Sequence, residues 1–261
     1  MKKQIVGFSL VEMAVVLTIV GVLLAGLLPT LTSQVEQRRR TETNKQLDEI
    51  KQALLGFAVS NKRLPCPASS SNSNGLESFC TNALPLSCGT RLTTFQAHGR
   101  CSDPSGFIPS VTLGLSNADA QGYAIDGWNN RIRYAVTSSL SPSANAYAFT
   151  KSDGMANIGL GGLAAAPDLS VCASATGITG TACGTAASLT TKGVAVIYSL
   201  GRSGTTSSLG ADETANTDGD QVFVSHVPSP ASATNGKFDH IVTWLSPNTL
   251  YNRMIAAGVL P

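Results

Sequence analysis

Apolar and polar positions follow different patterns in different parts of this chain. From Met13 to Ser33 they do not alternate: the stretch is uncharged and mostly apolar, and Glu12 is the only charge between Lys3 and Ser33. A run of about 20 such residues is what one helix needs to cross a hydrocarbon layer. In residues 34–63 the spacing becomes helical. Leu47, Ile50, Leu54 and Phe57 step by 3, 4 and 3 onto one face, which Ala53 and Ala58 broaden. This segment holds 11 of the 34 charged residues (18 Lys and Arg, 16 Asp and Glu), and Arg39, Glu42, Asp48, Glu49 and Lys51 sit largely off the stripe. One helix from Phe8 to about Asn61 is therefore predicted, roughly 80 Å long at 1.5 Å per residue. Its first half is apolar all round, and its amphipathic second half packs on a globular part. Pro29 removes one backbone hydrogen bond and is placed to kink the helix. Leu64-Pro65-Cys66-Pro67 ends it.

From Leu64 onward only 20 of 198 residues are charged, and small polar residues dominate. That length is enough for one well-buried core, while 6% aromatic content and many Gly and Pro residues predict short strands and long loops. Residues 64–122 read as an irregular connection. Asp126-Gly127-Trp128-Asn129-Asn130 reads as a turn entering a strand over Arg131–Val136. Gly193–Tyr198 is a β-branched run suited to a buried strand. Phe238–Leu245 is another strand, with Val222–Val227 as its hairpin partner. Ser246 as N-cap, Pro247 at the first helical position and Gly258 as the stop define a closing helix from about Pro247 to Ala257. Two helices bracketing a mostly antiparallel sheet is an α+β arrangement.

The N-terminus changes this picture most. Met1–Gly7 is a short basic leader with Lys2 and Lys3, followed by Phe8-Ser9-Leu10-Val11-Glu12. An ordinary secretory signal places its small residues after the apolar run; here Gly7 comes before it. A carboxylate at the edge of a membrane-length helix is costly without a partner, so Glu12 asks for a cation supplied within an assembly. The string GFSLVE ahead of the apolar helix resembles the class III leader of type IV pilins and type II secretion pseudopilins. That resemblance implies cleavage by a prepilin peptidase between Gly7 and Phe8, N-methylation of Phe8, and pairing of Glu12 with the terminal amine of a neighbouring subunit. Pro29 falls where many members carry a kinking proline. The implied organisation is a leader (1–7), an assembly helix (8–63) whose first half spans the membrane, and an extracytoplasmic globular part (64–261).

Two later segments are similar to the globular domain of the major pseudopilin. DGWNNRIRY matches its Asp-Pro-Trp-Gly-Asn-Pro strand entry at Asp126, Trp128 and Asn130, and departs from it at Gly127, Asn129 and Arg131. YSLGRSG is similar to its Tyr-Ser-x-Gly-x-Asp-Gly segment, with Ser203 standing where the pattern has aspartate.

Losing Lys2 and Lys3 leaves 16 basic against 16 acidic residues, a neutral chain with no bulk attraction for nucleic acid. The lysines satisfy the positive-inside rule, with the remainder of the chain outside. Arg38-Arg39-Arg40 sits against lipid headgroups or a neighbouring subunit, or is a solvated basic turn.

Six cysteines in such a compartment favour disulfides. Cys172 and Cys183 close a short loop and form one pair; Cys66, Cys80, Cys88 and Cys101 allow three pairings. Without CxxC spacing, zinc is disfavoured. Asp212, Glu213, Asp218 and Asp220 lie within nine residues, either solvated or bridged by a hard cation such as Ca²⁺; the resemblance points to calcium, which the major pseudopilin binds in its corresponding loop.

The chain holds no nucleophile elbow (GRSGT ends in Thr), no Walker A and no dinucleotide fingerprint. His98, His226 and His240 are scattered, and His240, on an expected strand, reads as a hydrogen-bonded structural histidine. An enzyme is not expected. The expected function is a structural subunit of a type II secretion or type IV pilus filament. Its partners would be other pilin or pseudopilin subunits, prepilin peptidase, an inner-membrane assembly platform and the membrane. The alternative is a filament-borne adhesin or DNA-uptake module presenting loops 64–122 and 200–236.

Overall fold

The computed structural model describes residues 9–83, 87–140, 145–205 and 209–260, with the side chains of 24–31 and Thr205 left aside. The chain divides into two compact units, residues 1–41 and 42–261. Helix α1 (Leu10–Asn61) contributes to both. In the first unit the described apolar side chains of α1, Leu10 to Leu23, are exposed. Among the described residues no helix is long and apolar enough to cross a membrane. The expected cleavage residues Gly7 and Phe8 lie outside the described residues, as does the side chain of Pro29, around which the backbone is assigned as helical.

The second unit is α+β with mostly antiparallel sheets. After α1 come β1 (Phe79–Cys80), β2 (Arg91–Leu92), β3 (Ser105–Phe107), α2 (Ser110–Leu113), β4 (Arg133–Val136), α3 (Gly154–Ala165) and β5 (Leu169–Cys172). Then follow β6 (Ser188–Gly193), β7 (Ala195–Ser199), a 3₁₀ turn (Gly201–Thr205), α4 (Ala211–Ala215), β8 (Val222–Val224), β9 (Ile241–Leu245) and α5 (Pro247–Ala256). The central sheet has the order β3-β4-β7-β9, all antiparallel. A second sheet, β6-β5-β8, pairs β5 with β8 in parallel.

Strand alternation puts successive side chains on opposite faces, and here it sorts them into two cores. Tyr134, Val136, Ala195 and Ile197 pack with Leu47, Ile50 and Leu54 of α1 and Leu250 and Met254 of α5. Ala135, Val196 and Tyr198 point the other way, onto Leu169, Val171 and Phe223 of the second sheet. The 3-4-3 stripe read from the sequence is the buried face: Leu47, Ile50 and Leu54 are all within the core, while Phe57 is only half-buried.

The end of α1 is locked by a contact that the sequence does not advertise. Arg63 is buried and bonds both oxygens of Glu77 at 2.7 Å, with its guanidinium over the rings of Phe57, Phe79 and Phe95. A bidentate, charge-assisted pair is the geometry that makes burying two charges tolerable.

Three expectations need correction. Val222–Val224 is not the hairpin partner of Phe238–Leu245: it pairs in parallel with β5, and β9 pairs with β7. All three residues of β8 are buried, which suits a strand covered on both faces rather than an alternating hairpin arm. Residues 64–122, read as an irregular connection, contain three short strands, β1, β2 and β3, and the short helix α2. The strand expected from Phe238 begins only at Ile241, because Asp239 and His240 turn their side chains to polar partners. The closing helix is as expected, with Ser246 accepting from the Thr249 amide at 3.3 Å.

Candidate functional site

Two places carry the residues singled out by the sequence. The first is the start of α1. Ser9 immediately precedes the helix and accepts the Glu12 N–H on Oγ at 3.2 Å, while Glu12 Oε2 accepts the Ser9 N–H at 3.0 Å. This reciprocal pair is a capping box, which satisfies two of the donors left open at a helix start. Its signature, Ser-x-x-Glu, is present in the sequence, but Ser9 drew no notice beside Glu12. The box fixes the Glu12 carboxylate at the helix mouth through one oxygen. The apolar side chains that follow, from Leu10 at 90% exposed to Val20 at 44%, have no cover in the isolated chain.

The second place lies inside the globular unit, where two segments about 70 residues apart in sequence meet. In the turn DGWNN, Asp126 is buried and its Oδ1 accepts the N–H groups of Trp128 and Asn130, both at 2.8 Å. Asn129 takes a left-handed backbone (φ 65°), which Asn tolerates better than most residues. Gly127 donates to Thr43 Oγ1 on α1 at 3.0 Å. From YSLGRSG, the Ser199 hydroxyl donates to Asp126 Oδ2, and the Gly201 carbonyl accepts from the Asn130 amide at 2.6 Å. The two glycines of the second segment have steric reasons. Gly201 has φ 56° and a Cβ there would sit 2.3 Å from the Asp239 carbonyl; at Gly204 a Cβ would meet Asn130 at 2.7 Å. Burial pushes the Asp126 carboxyl above its ordinary value, against the opposing hydrogen bonds from Ser199, Asn130 and Trp128.

Ser203 lies in the same cluster. Its hydroxyl contacts Glu213 Oε1 at 2.7 Å and also Asp239 Oδ1, and its N–H donates to Asp239 at 3.1 Å. The Asp239 N–H donates to Glu213 at 2.8 Å. Burial works to raise the Asp239 carboxyl, but the Lys237 ammonium and Ser203 together hold it below its ordinary value. Glu213 is fully buried, and its second oxygen has no partner among the described residues.

The four carboxylates of the acidic loop are thus divided. Asp212 accepts from the Ala175 N–H at 2.6 Å, the Asn235 amide at 2.8 Å and His226 at 3.0 Å. Glu213 faces the opposite cluster. Asp218 and Asp220 are exposed in the following turn, where Asp220 caps the Val222 N–H at 2.6 Å. Among the described residues no three His, Cys, Asp or Glu side chains come together as a metal-ligand set.

His240 is buried beside this cluster. Asn216 pairs both its amide groups with the backbone of Val224, which fixes its orientation, and its Nδ2 lies 3.2 Å from His240 Nδ1. The imidazole therefore accepts on Nδ1 and carries its proton on Nε2. Burial lowers its pKa to about 4, so the ring is neutral at pH 7.

All six cysteines are paired. Cys172–Cys183 is the expected bridge, and the first four choose Cys66–Cys101 and Cys80–Cys88. Comparison with protein-family profiles, curated proteins and solved structures finds no match to this chain. The globular cluster is a set of hydrogen-bonded turns around one buried carboxylate oxygen, Glu213 Oε2, without a partner among the described residues, and the helix start is an exposed apolar surface headed by one carboxylate.

Proposed function

We propose that this chain is a structural subunit of a type IV pilin-like filament, a pseudopilin or minor pilin, assembled through its N-terminal helix. One observation carries the reading: a helix apolar on all sides from Leu10 to Leu23 and exposed there, opening on a capping box that presents the Glu12 carboxylate. A helix hydrophobic all round belongs in a membrane or a bundle core. In this reading it crosses the inner membrane until prepilin peptidase cuts between Gly7 and Phe8. It then passes into a filament, where Glu12 receives the new terminal amine of a neighbour. Pairing there offsets the cost of holding a carboxylate in an apolar bundle.

The three disulfides support a globular part held in an oxidising compartment, which fits a periplasmic domain and later a surface or periplasmic filament. The two hydrogen-bonded turn motifs serve the rigidity of that domain.

The test is Glu12→Ala expressed with the assembly machinery of its host. The variant should be cleaved and remain in the membrane fraction, yet be lost from sheared filaments. Wild-type filament yield from the variant would contradict the proposal.

A further inference from the structure

Shortly beyond the uncharged stretch Met13–Ser33, after Gln34 to Gln37, stand three consecutive arginines, Arg38, Arg39 and Arg40. All three belong to α1 and to the first compact unit, residues 1–41. Arg40 is partly buried, and its Nε lies 3.8 Å from Glu36 Oε1 one turn back. Arg38 and Arg39 are exposed. Glu42 follows one turn later, yet among the described residues no carboxylate pairs with either guanidinium. Two unpaired cations therefore sit side by side just past a membrane-length apolar run.

Their height along the helix decides what they meet. At about 1.5 Å of rise per residue, the stretch Met13–Ser33 covers roughly the 30 Å of a hydrocarbon layer. Arg38 and Arg39 then stand about 8 Å beyond its edge, and the headgroup layer extends about 5–8 Å past the hydrocarbon on each side. Arginine side chains are long enough to reach back into that layer. Orientation of the span does not account for the cluster, since a basic run directly after it is disfavoured on the outer side. A second copy does not account for it either: standing alongside at the same depth, it presents the same three arginines, and like charges repel. A lipid phosphate at that height is complementary in charge, and a guanidinium can donate two parallel N–H bonds to it.

We propose that Arg38 and Arg39 bind anionic phospholipid headgroups at the outer face of the membrane that the apolar half of α1 crosses. Consecutive residues lie about 100° apart around a helix, so the two guanidiniums engage neighbouring lipids. Arg40, already paired with Glu36, contributes less. The inference rests on the membrane-spanning part of the filament reading, to which it adds a lipid partner for the subunit before assembly.

The experiment uses the full chain, reconstituted into vesicles of equimolar phosphatidylglycerol and phosphatidylcholine. After release into mild detergent, native mass spectrometry identifies the lipids it retains. Wild type should keep phosphatidylglycerol in preference to phosphatidylcholine. Arg38→Gln combined with Arg39→Gln should lower that preference roughly twentyfold, each cation near an anionic surface being worth about fivefold. Lys45→Gln, an exposed residue further along α1 that faces Glu49 at 3.7 Å, should leave it unchanged. An unaltered preference in the double variant overturns the contact, as does equal retention of the two lipids by wild type. Loss of the double variant from filaments with its lipid preference intact would assign the arginines to a neighbouring subunit and also overturn it. Alkaline carbonate separates the two levels of the account. A chain it strips from the vesicles refutes the membrane-spanning reading and the contact together, whereas a chain that stays integrated without the preference refutes the contact alone.

Discussion

His240 shows how one buried side chain writes a pH dependence into the fold. In the unfolded chain the ring titrates near 6.5, whereas burial lowers that value to about 4 in the fold. Above pH 6.5 the ring is neutral in both states and contributes nothing to the pH slope. As pH falls from about 6.5 to about 4 the unfolded state binds a proton that the fold refuses, so stability falls by up to about 3 kcal/mol. Chemical denaturation of wild type and His240→Phe at pH 7 and pH 4.5 checks this. The wild type should lose more stability than the variant between the two pH values, and equal losses would contradict it. Asp126 makes a second residue-scale prediction. Its carboxylate holds the Trp128 and Asn130 amides and the Ser199 hydroxyl, so Asp126→Ala leaves buried donors open. A loss of about 2–3 kcal/mol in denaturant unfolding is expected, with the DGWNN turn the first region to exchange its amide protons.

At the scale of elements, what was legible in the sequence follows local periodicity closely. The stripe Leu47, Ile50, Leu54 was readable because a helix repeats its buried face every three to four residues. The closing helix was readable because Ser246-Pro247 and Gly258 are local signals. The strand at Gly193–Tyr198 was visible as a β-branched run, although the ladder occupies Ala195–Ser199. The parallel pairing of β5 with β8 was not, because it joins Ser170 to Val222 through contacts with no local trace. Strand β6, SLTTKG, is mostly exposed, so burial leaves no pattern in it. The two motifs DGWNN and YSLGRSG were each legible, but their union through Asp126–Ser199 and Asn130–Gly201 was not. Ser9 was missed for a different reason: its capping-box spacing was present and a more conspicuous carboxylate stood beside it. The disulfides, once paired, rank by loop length. Cys66–Cys101 closes a separation of 35 residues and Cys80–Cys88 one of 8. Loop-closure entropy then makes the first worth about 4 kcal/mol and the second about 2.5 kcal/mol. Paired Cys→Ser variants compared by thermal melting should fall in that order, and the reverse order would count against an entropic origin.

For the whole molecule, the globular unit buries its own apolar side chains and the N-terminal segment does not. Its two cores are closed, its cysteines paired and its turn motifs hydrogen-bonded. By contrast, the apolar side chains from Leu10 to Leu23 lie open and need an environment that the isolated chain does not supply. The filament reading accounts for both halves, with a rigid body displayed outside and a greasy helix handed from bilayer to bundle. It also assigns the leader a definite fate. The most direct measurement is the mass of the N-terminal peptide from protein purified out of cells that make the assembly machinery. The account predicts a peptide beginning at Phe8 and carrying one methyl group on its amine. A peptide that still begins at Met1, with the chain nevertheless in filaments, would contradict it.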